Sequence, residues 1–163
     1  MLKKLKGYKA FHNMQDINGT TYEIGQTYTT EGPIKYNKNG FHFCENLVDI
    51  LWYYDGLNND IDLCKVLGYG EIDTYNDYYY EYFNVYSASN ITILKKLSRE
   101  EIIDTVLKGN IHSIIRFVSG YKLTKEEIEQ ITSIYNEQIV KDYIEYYQYD
   151  NKEVFQRTRG KQW

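Results

Sequence analysis

The stretch Gly40–Tyr54, Gly-Phe-His-Phe-Cys-Glu-Asn-Leu-Val-Asp-Ile-Leu-Trp-Tyr-Tyr, constrains the fold more than any other part of the chain. A glycine opens it, Phe41, His42, Phe43 and Cys44 alternate as a strand does, and Glu45-Asn46 leads into residues with helical spacing. The pattern predicts a strand, a tight corner and a helix, with Asn46 as N-cap and Asp49 three residues on. In that helix Leu47, Ile50, Leu51 and Tyr54 share one face. Such a corner can build a site, because the N–H groups of a first helical turn are unpaired and point outward; it can equally build plain core.

On the N-terminal side, Lys6–His12 reads as a first strand, with Tyr8, Ala10 and His12 on one face and Lys9 and Phe11 on the other. Asn13–Gly19 is turn chemistry, Thr20–Ile24 a short second strand and Gln26–Thr30 a third. The only proline, Pro33, precedes a short extended piece, Ile34–Tyr36, and the turn Asn37–Gly40. Beyond the central helix, Leu63–Tyr69 reads as a strand, Gly70–Asp77 as a turn, Tyr78–Ser87 as strand or loop, and Asn90–Lys95 as a strand. Ser98 with Glu101 and Thr124 with Glu127 are capping boxes, and Asn110 is an N-cap between them. They predict three helices, the longest carrying Ile128, Ile131, Tyr135, Ile139, Tyr143 and Tyr146 on one stripe.

Strands first and helices last make an α+β fold with a mostly antiparallel sheet. With 163 residues, 42% of them apolar, we expect a single domain. Residues 1–97 would be mainly β with one central helix, 98–148 a helical subdomain, and 149–163 a mobile tail carrying Arg157, Arg159 and Lys161. A formal charge of -4 argues against nucleic acid as a direct ligand. No run approaches the roughly 20 apolar residues of a membrane span. The opening residues lack a signal-peptide pattern, and the two cysteines make no disulfide framework, so the expected location is the cytoplasm.

Tyrosine supplies 19 of the 163 residues, a total that codon bias toward A and T accounts for. The local cluster Tyr75, Tyr78, Tyr79, Tyr80, Tyr82 and Tyr86 is different, because Asp73, Asp77 and Glu81 are mixed into it. Tyrosine offers contact area at low entropy cost, and an acidic aromatic surface suits a basic protein rather than a phosphate backbone. These six tyrosines are the candidate partner-binding residues.

The combination of Gly7-Tyr8-Lys9-Ala10-Phe11, Tyr22-Glu23-Ile24-Gly25, Gly40-Phe41-His42-Phe43-Cys44-Glu45-Asn46, Val66-Leu67-Gly68 and Ile91-Thr92-Ile93 resembles an uncharacterised domain family. Its members recur in phages and bacteria with a Tyr-Lys-Ala-Phe start and a Gly-Phe-His-x-Cys-Glu-Asn centre. That resemblance covers residues 6–100 and implies no established activity. More distantly, Tyr8-Lys9-Ala10 and Gly40-Phe41-His42-Phe43 are similar to the first two strand motifs of the ADP-ribosyltransferase superfamily. The resemblance implies a scaffold of that kind, NAD as cofactor, and catalytic candidates Tyr8, Lys9 and His42. A late glutamate would complete the set, with Glu81 as the candidate and Glu71 and Glu100 also conceivable. Lys9 stands where that superfamily has His or Arg, and His42 where it has an aromatic residue such as Tyr.

His42 and Cys44 share one strand face, and His12 would join them if the first and central strands pair. Without a close-spaced cysteine pair these are read as a buried histidine and an inert thiol, with no metal site. Glu45 and Asp49 lie four apart near a helix start, where dipole and capping already favour acids over a catalytic carboxylate pair. The expectation is therefore a non-catalytic protein-binding module of phage or mobile-element type, without cofactor, one form being an inhibitor of a host defence complex. The alternative is an NAD-dependent ADP-ribosyltransferase acting on a host protein.

Overall fold

The computed structural model describes residues 3–36, 38–54, 61–76 and 84–150. Its architecture is the expected α+β one, an antiparallel sheet followed by helices. The chain packs as two compact units, the first formed by residues up to Ile50 and by Ile61–Leu97, the second by the stretch from Leu51 and by the chain from Ser98.

The first unit contains β1 (Lys4–Phe11), β2 (Thr27–Thr29), β3 (Phe41–Cys44), β4 (Asp62–Asn76) and β5 (Asn84–Lys96). β4 and β5 form a long hairpin, from Cys64 opposite Lys96 to Asn76 opposite Asn84. β1 lies along the free edge of β4, while β3 and β2 follow one another along the free edge of β5. β1 and β3 then meet at one register point, Tyr8 opposite Cys44, so β1, β4, β5 and β3 close into a ring. Strand alternation decides what fills it. Phe11, Phe43, Cys64, Val66, Tyr86, Ala88, Ile91 and Ile93 face inward with Tyr22 as one buried cluster.

Phe43 is one of the large aromatic side chains of that interior. It fits because Gly7 of β1 and Gly68 of β4 leave its ring a slot. A Cβ at Gly7 would stand 2.6 Å from Phe43 Cδ2 and also against the Cys44 carbonyl oxygen, and one at Gly68 would collide with Cε1 and Cζ of the same ring.

Four details differ from the sequence expectation. Thr20–Ile24 is no strand and forms a single bridge, Thr21 to Gln15. The Asp16 carboxylate accepts the Asn18 and Thr20 N–H groups at 2.9 and 3.0 Å, taking up donors that a ladder would need. Gly70–Asn76 is not a turn, and β4 runs through it with a shift in register between Tyr69 and Ile72. Gly70 supplies the φ of +90° that this bulge requires, and Ser89 and Asn90 take over the displaced hydrogen bonds to Glu71 N and Tyr69 O. The central helix is a short 3-10 helix, Leu47–Trp52, in which Asp49 N donates to Asn46 O and the Asn46 side chain donates to Asp49. Leu47, Val48, Ile50 and Leu51 are all buried there, which a tight three-residue repeat accommodates over so short a length.

The fourth difference lies in the second unit, which holds α1 (Arg99–Leu107), α2 (Ile111–Gly120), α3 (Lys125–Ile134) and α4 (Gln138–Ile144), then a π-helical turn, Glu145–Asp150. Both capping boxes and the Asn110 cap form as read. The single long third helix does not form. Thr132 and Ser133 hydroxyls bond back onto carbonyls of the preceding turn, the Tyr135 hydroxyl reaches Gly109 O at 2.8 Å, and the chain leaves helical geometry at Tyr135. After the break Val140 and Ile144 are buried, whereas Ile139 and Tyr146 of the expected stripe are exposed. The wide π turn places Gln148 to donate to Val118 O and Tyr121 O and to accept from Leu123 N, satisfying the end of α2.

Gly7→Ala and Gly68→Ala should each lower unfolding free energy by about 1–3 kcal/mol, the usual cost of overpacking. In denaturant titrations, Phe43→Leu should relieve Gly68→Ala, whose collisions are with the Phe43 ring, and should leave most of the Gly7→Ala penalty, because the Cys44 carbonyl remains in the way.

Candidate functional site

The loop before β3 is fixed onto the outer face of the ring by acceptors on β4. Tyr36 N donates to Asp73 Oδ2 at 2.8 Å and Ile34 N to Glu71 Oε1 at 3.3 Å. Asn39 closes the loop on itself, donating to Glu31 O and Pro33 O and accepting from Thr30 Oγ1. Gly40 has a φ of +115°, and a side chain there would run into Ser87 and Ile34. Held this way, the Tyr36 ring stacks on Tyr75, with centroids 4.4 Å apart and planes 6° from parallel, and meets the edge of His42 at 5.7 Å. Tyr75 remains 38% exposed. Tyr36, Tyr75 and His42 thus form an aromatic ridge with Asp73 beside it.

Lys9 approaches the same strand from inside. It shares the inner face of β1 with Gly7 and Phe11, and its ammonium reaches into the seam between β1 and β3 to donate to the His42 carbonyl at 2.8 Å. These strands share one register point, and beside it the lysine gives that carbonyl a charged donor. Its ammonium also lies 5.6 Å over the Phe11 ring. Burial pushes the Lys9 pKa down to about 8, opposed by the charges of Asp16 and Cys44. The His42 imidazole is pushed down to about 4, mainly by burial and then by the Lys9 charge, so it is neutral at ordinary pH.

The sequence-predicted residues are distributed as follows. Tyr8 and His42 lie on the outer face, the first opposite Cys44 and the second two residues before it. Lys9, next to Tyr8, necessarily faces the other way and meets His42 only through the backbone. Tyr75 stands in the ridge, whereas Tyr86 is an inward residue, 9% exposed, packed 5.4 Å from Phe43 with its hydroxyl donating to Glu45. Burial and the Glu45 charge raise its pKa. Tyr78, Tyr79, Tyr80, Glu81 and Tyr82 lie outside the described residues, as do 151–163. Glu45 takes Asn84 and Tyr86 as partners while Asp49 is buried against Asn46, so the two acids do not share a site. His12 bridges to Gln15 in the following turn. Cys64 faces the interior 3.8 Å from Met14 Sδ, and burial pushes its thiol up to about 12. Among the described residues no group of three or more His, Cys, Asp or Glu side chains is placed to hold a metal ion. No helix among them is long and apolar enough to cross a membrane.

Sequence reasoning missed Tyr36. Its only signal was an aromatic residue in a short extended piece before a turn, and its importance comes from Asp73, 37 residues away.

The family whose model matches the chain is described as Domain of unknown function (DUF7666), over residues 5–105. No curated protein and no solved structure matches.

Because the folded pKa of His42 is below its unfolded value, the unfolded chain takes up the proton first. Its contribution to stability should be complete above about pH 6.5 and be lost as pH falls toward 4. A Lys9→Met variant should raise the His42 pKa part of the way back, read from imidazole proton shifts. It should also cost about 1–3 kcal/mol by removing the charged donor from the His42 carbonyl. An unchanged His42 titration in that variant would show that the two groups do not interact.

Proposed function

This chain belongs to the DUF7666 family of unknown function, and from that premise we propose that it is a non-catalytic protein-binding module whose Tyr36–Tyr75 ridge engages a basic partner. The observation that carries the reading is the parallel Tyr36–Tyr75 stack, with Tyr75 38% exposed and the Asp73 carboxylate fixed two residues away. A tyrosine already locked by a neighbour loses little rotamer freedom on binding. The net charge of -4 favours a basic surface through long-range attraction. Inhibition of a host defence complex is one form of this activity, resting on the resemblance to a domain family of phages and bacteria.

A photoreactive phenylalanine analogue at position 75 tests the proposal in a bacterial extract. It should cross-link to a protein through a segment rich in Lys and Arg, and the adduct should fade as salt is raised toward about 0.5 M, where charges more than a few ångströms apart are screened. Absence of any protein adduct at this position would overturn it.

A second reading, NAD-dependent ADP-ribosyl transfer, draws on one observation: Tyr8 and His42 share the outer face of the ring next to each other's strand. It expects NAD binding by calorimetry that is lost in Tyr8→Ala and in His42→Ala. Heat flow indistinguishable from dilution would remove it.

A further inference from the structure

We infer that the ridge recognises an arginine of its partner, with the guanidinium lying on the ring of Tyr75 and donating to the Asp73 carboxylate. The inference rests on the protein-binding reading above and adds which side chain is read.

Tyr75 has one ring face covered by Tyr36, and its exposed area is what remains for a ligand. The platform is preorganised, because Tyr36 is itself held by the Asp73 contact to its N–H and by the His42 edge. Asp73 is equally fixed. Its Oδ2 accepts from Tyr36 N and its Oδ1 from Thr74 N at 3.0 Å, which uses two of the roughly four acceptor directions of a carboxylate and leaves the rest free. Glu71, Asp73 and Tyr75 follow at alternate positions of β4, so a second carboxylate continues the line on the side away from the ring.

Asp73 and Tyr75 are separated along the strand by about 6.6 Å, twice the rise per residue. A guanidinium is suited to that separation. It is flat, it stacks on an aromatic face, and its donors fan outward in the plane of the stack. A lysine ammonium is a compact, strongly hydrated charge that can serve the ring or the carboxylate and gains little from both. The nearest imidazole adds no positive charge, because His42 is held neutral, while the Lys9 ammonium bonded to the His42 carbonyl adds one close by. The exposed Lys35 and Lys38 of the loop reduce the general attraction for cations, so geometry has to supply the selection.

The test uses two short probes, acetyl-Gly-Arg-Gly-amide and acetyl-Gly-Lys-Gly-amide, titrated into the full chain with isotope-labelled tyrosine. The arginine peptide should move the Tyr75 and Tyr36 ring signals and bind about tenfold more tightly than the lysine peptide. Tyr75→Phe should keep that preference, Tyr75→Ala should abolish binding, and Asp73→Asn, which still offers Tyr36 N an acceptor, should reduce the preference several-fold with the fold intact by its amide spectrum. Equal affinities for the two peptides, an arginine response that survives Tyr75→Ala, or no response to either peptide would overturn the inference. Equal affinities lost together in Tyr75→Ala would overturn arginine selection and leave a basic partner standing, whereas failure of the cross-link at position 75 would bring down the partner reading itself.

Discussion

The seating of Phe43 over Gly7 and Gly68 is the contact on which the first unit depends. β1 and β3 share a single register point, and two strands joined so sparsely would separate unless something held them. The Phe43 ring does so by reaching from β3 across β1 to β4, where only glycines allow the approach. Burying a phenylalanine contributes on the order of 2–3 kcal/mol, more than one ladder hydrogen bond adds net. The ring of strands is thus closed by packing, with the backbone ladder interrupted at the seam.

That interruption sets the electrostatics. Beside the single register point, Lys9 gives the His42 carbonyl a charged donor. The cost is visible in both titrating groups, since the ammonium is held well below its ordinary pKa and the imidazole beside it is held neutral. Removing this charged strut from the half-buried seam would take a charge-assisted donor away from the His42 carbonyl, which is itself costly. With Lys9 committed to the seam, the ridge of Tyr36, Tyr75 and Asp73 keeps its aromatic and acidic character.

The features legible in the sequence were those written locally. Alternation in Phe41–Cys44 marked a strand, and the pairs Ser98/Glu101 and Thr124/Glu127 marked helix starts to the residue. Features decided by distant partners were not legible. Gly70 reads as a turn residue, and only the Ser89 and Asn90 side chains across the hairpin convert the turn into a bulge. The stripe from Ile128 to Tyr146 reads as one helix, yet the Tyr135 hydroxyl finds the Gly109 carbonyl and the chain breaks there. Among site candidates, the tyrosine cluster reads in sequence as a unit, but the structure divides its described members. Tyr86 belongs to the core and Tyr75 to the surface, and the stacking partner of Tyr75 comes from a loop 39 positions earlier, since 75 less 36 is 39.

Adjacent residues of a strand face opposite sides, and this bears directly on the choice between binding and catalysis. The transferase resemblance asks Tyr8, Lys9 and His42 to act on one ligand. Tyr8 and His42 satisfy that demand on the outer face, but Lys9 reaches the seam only with its ammonium, where the His42 carbonyl already receives it. To serve a ligand outside, the ammonium would have to leave that carbonyl and cross the seam that Phe43 holds shut. A binding surface makes no such demand, because Tyr36, Tyr75 and Asp73 are already positioned by contacts among themselves. Lys9 therefore fits the proposed binding reading as a strut that sets the shape of β3, with the outer ridge as the surface proposed for recognition.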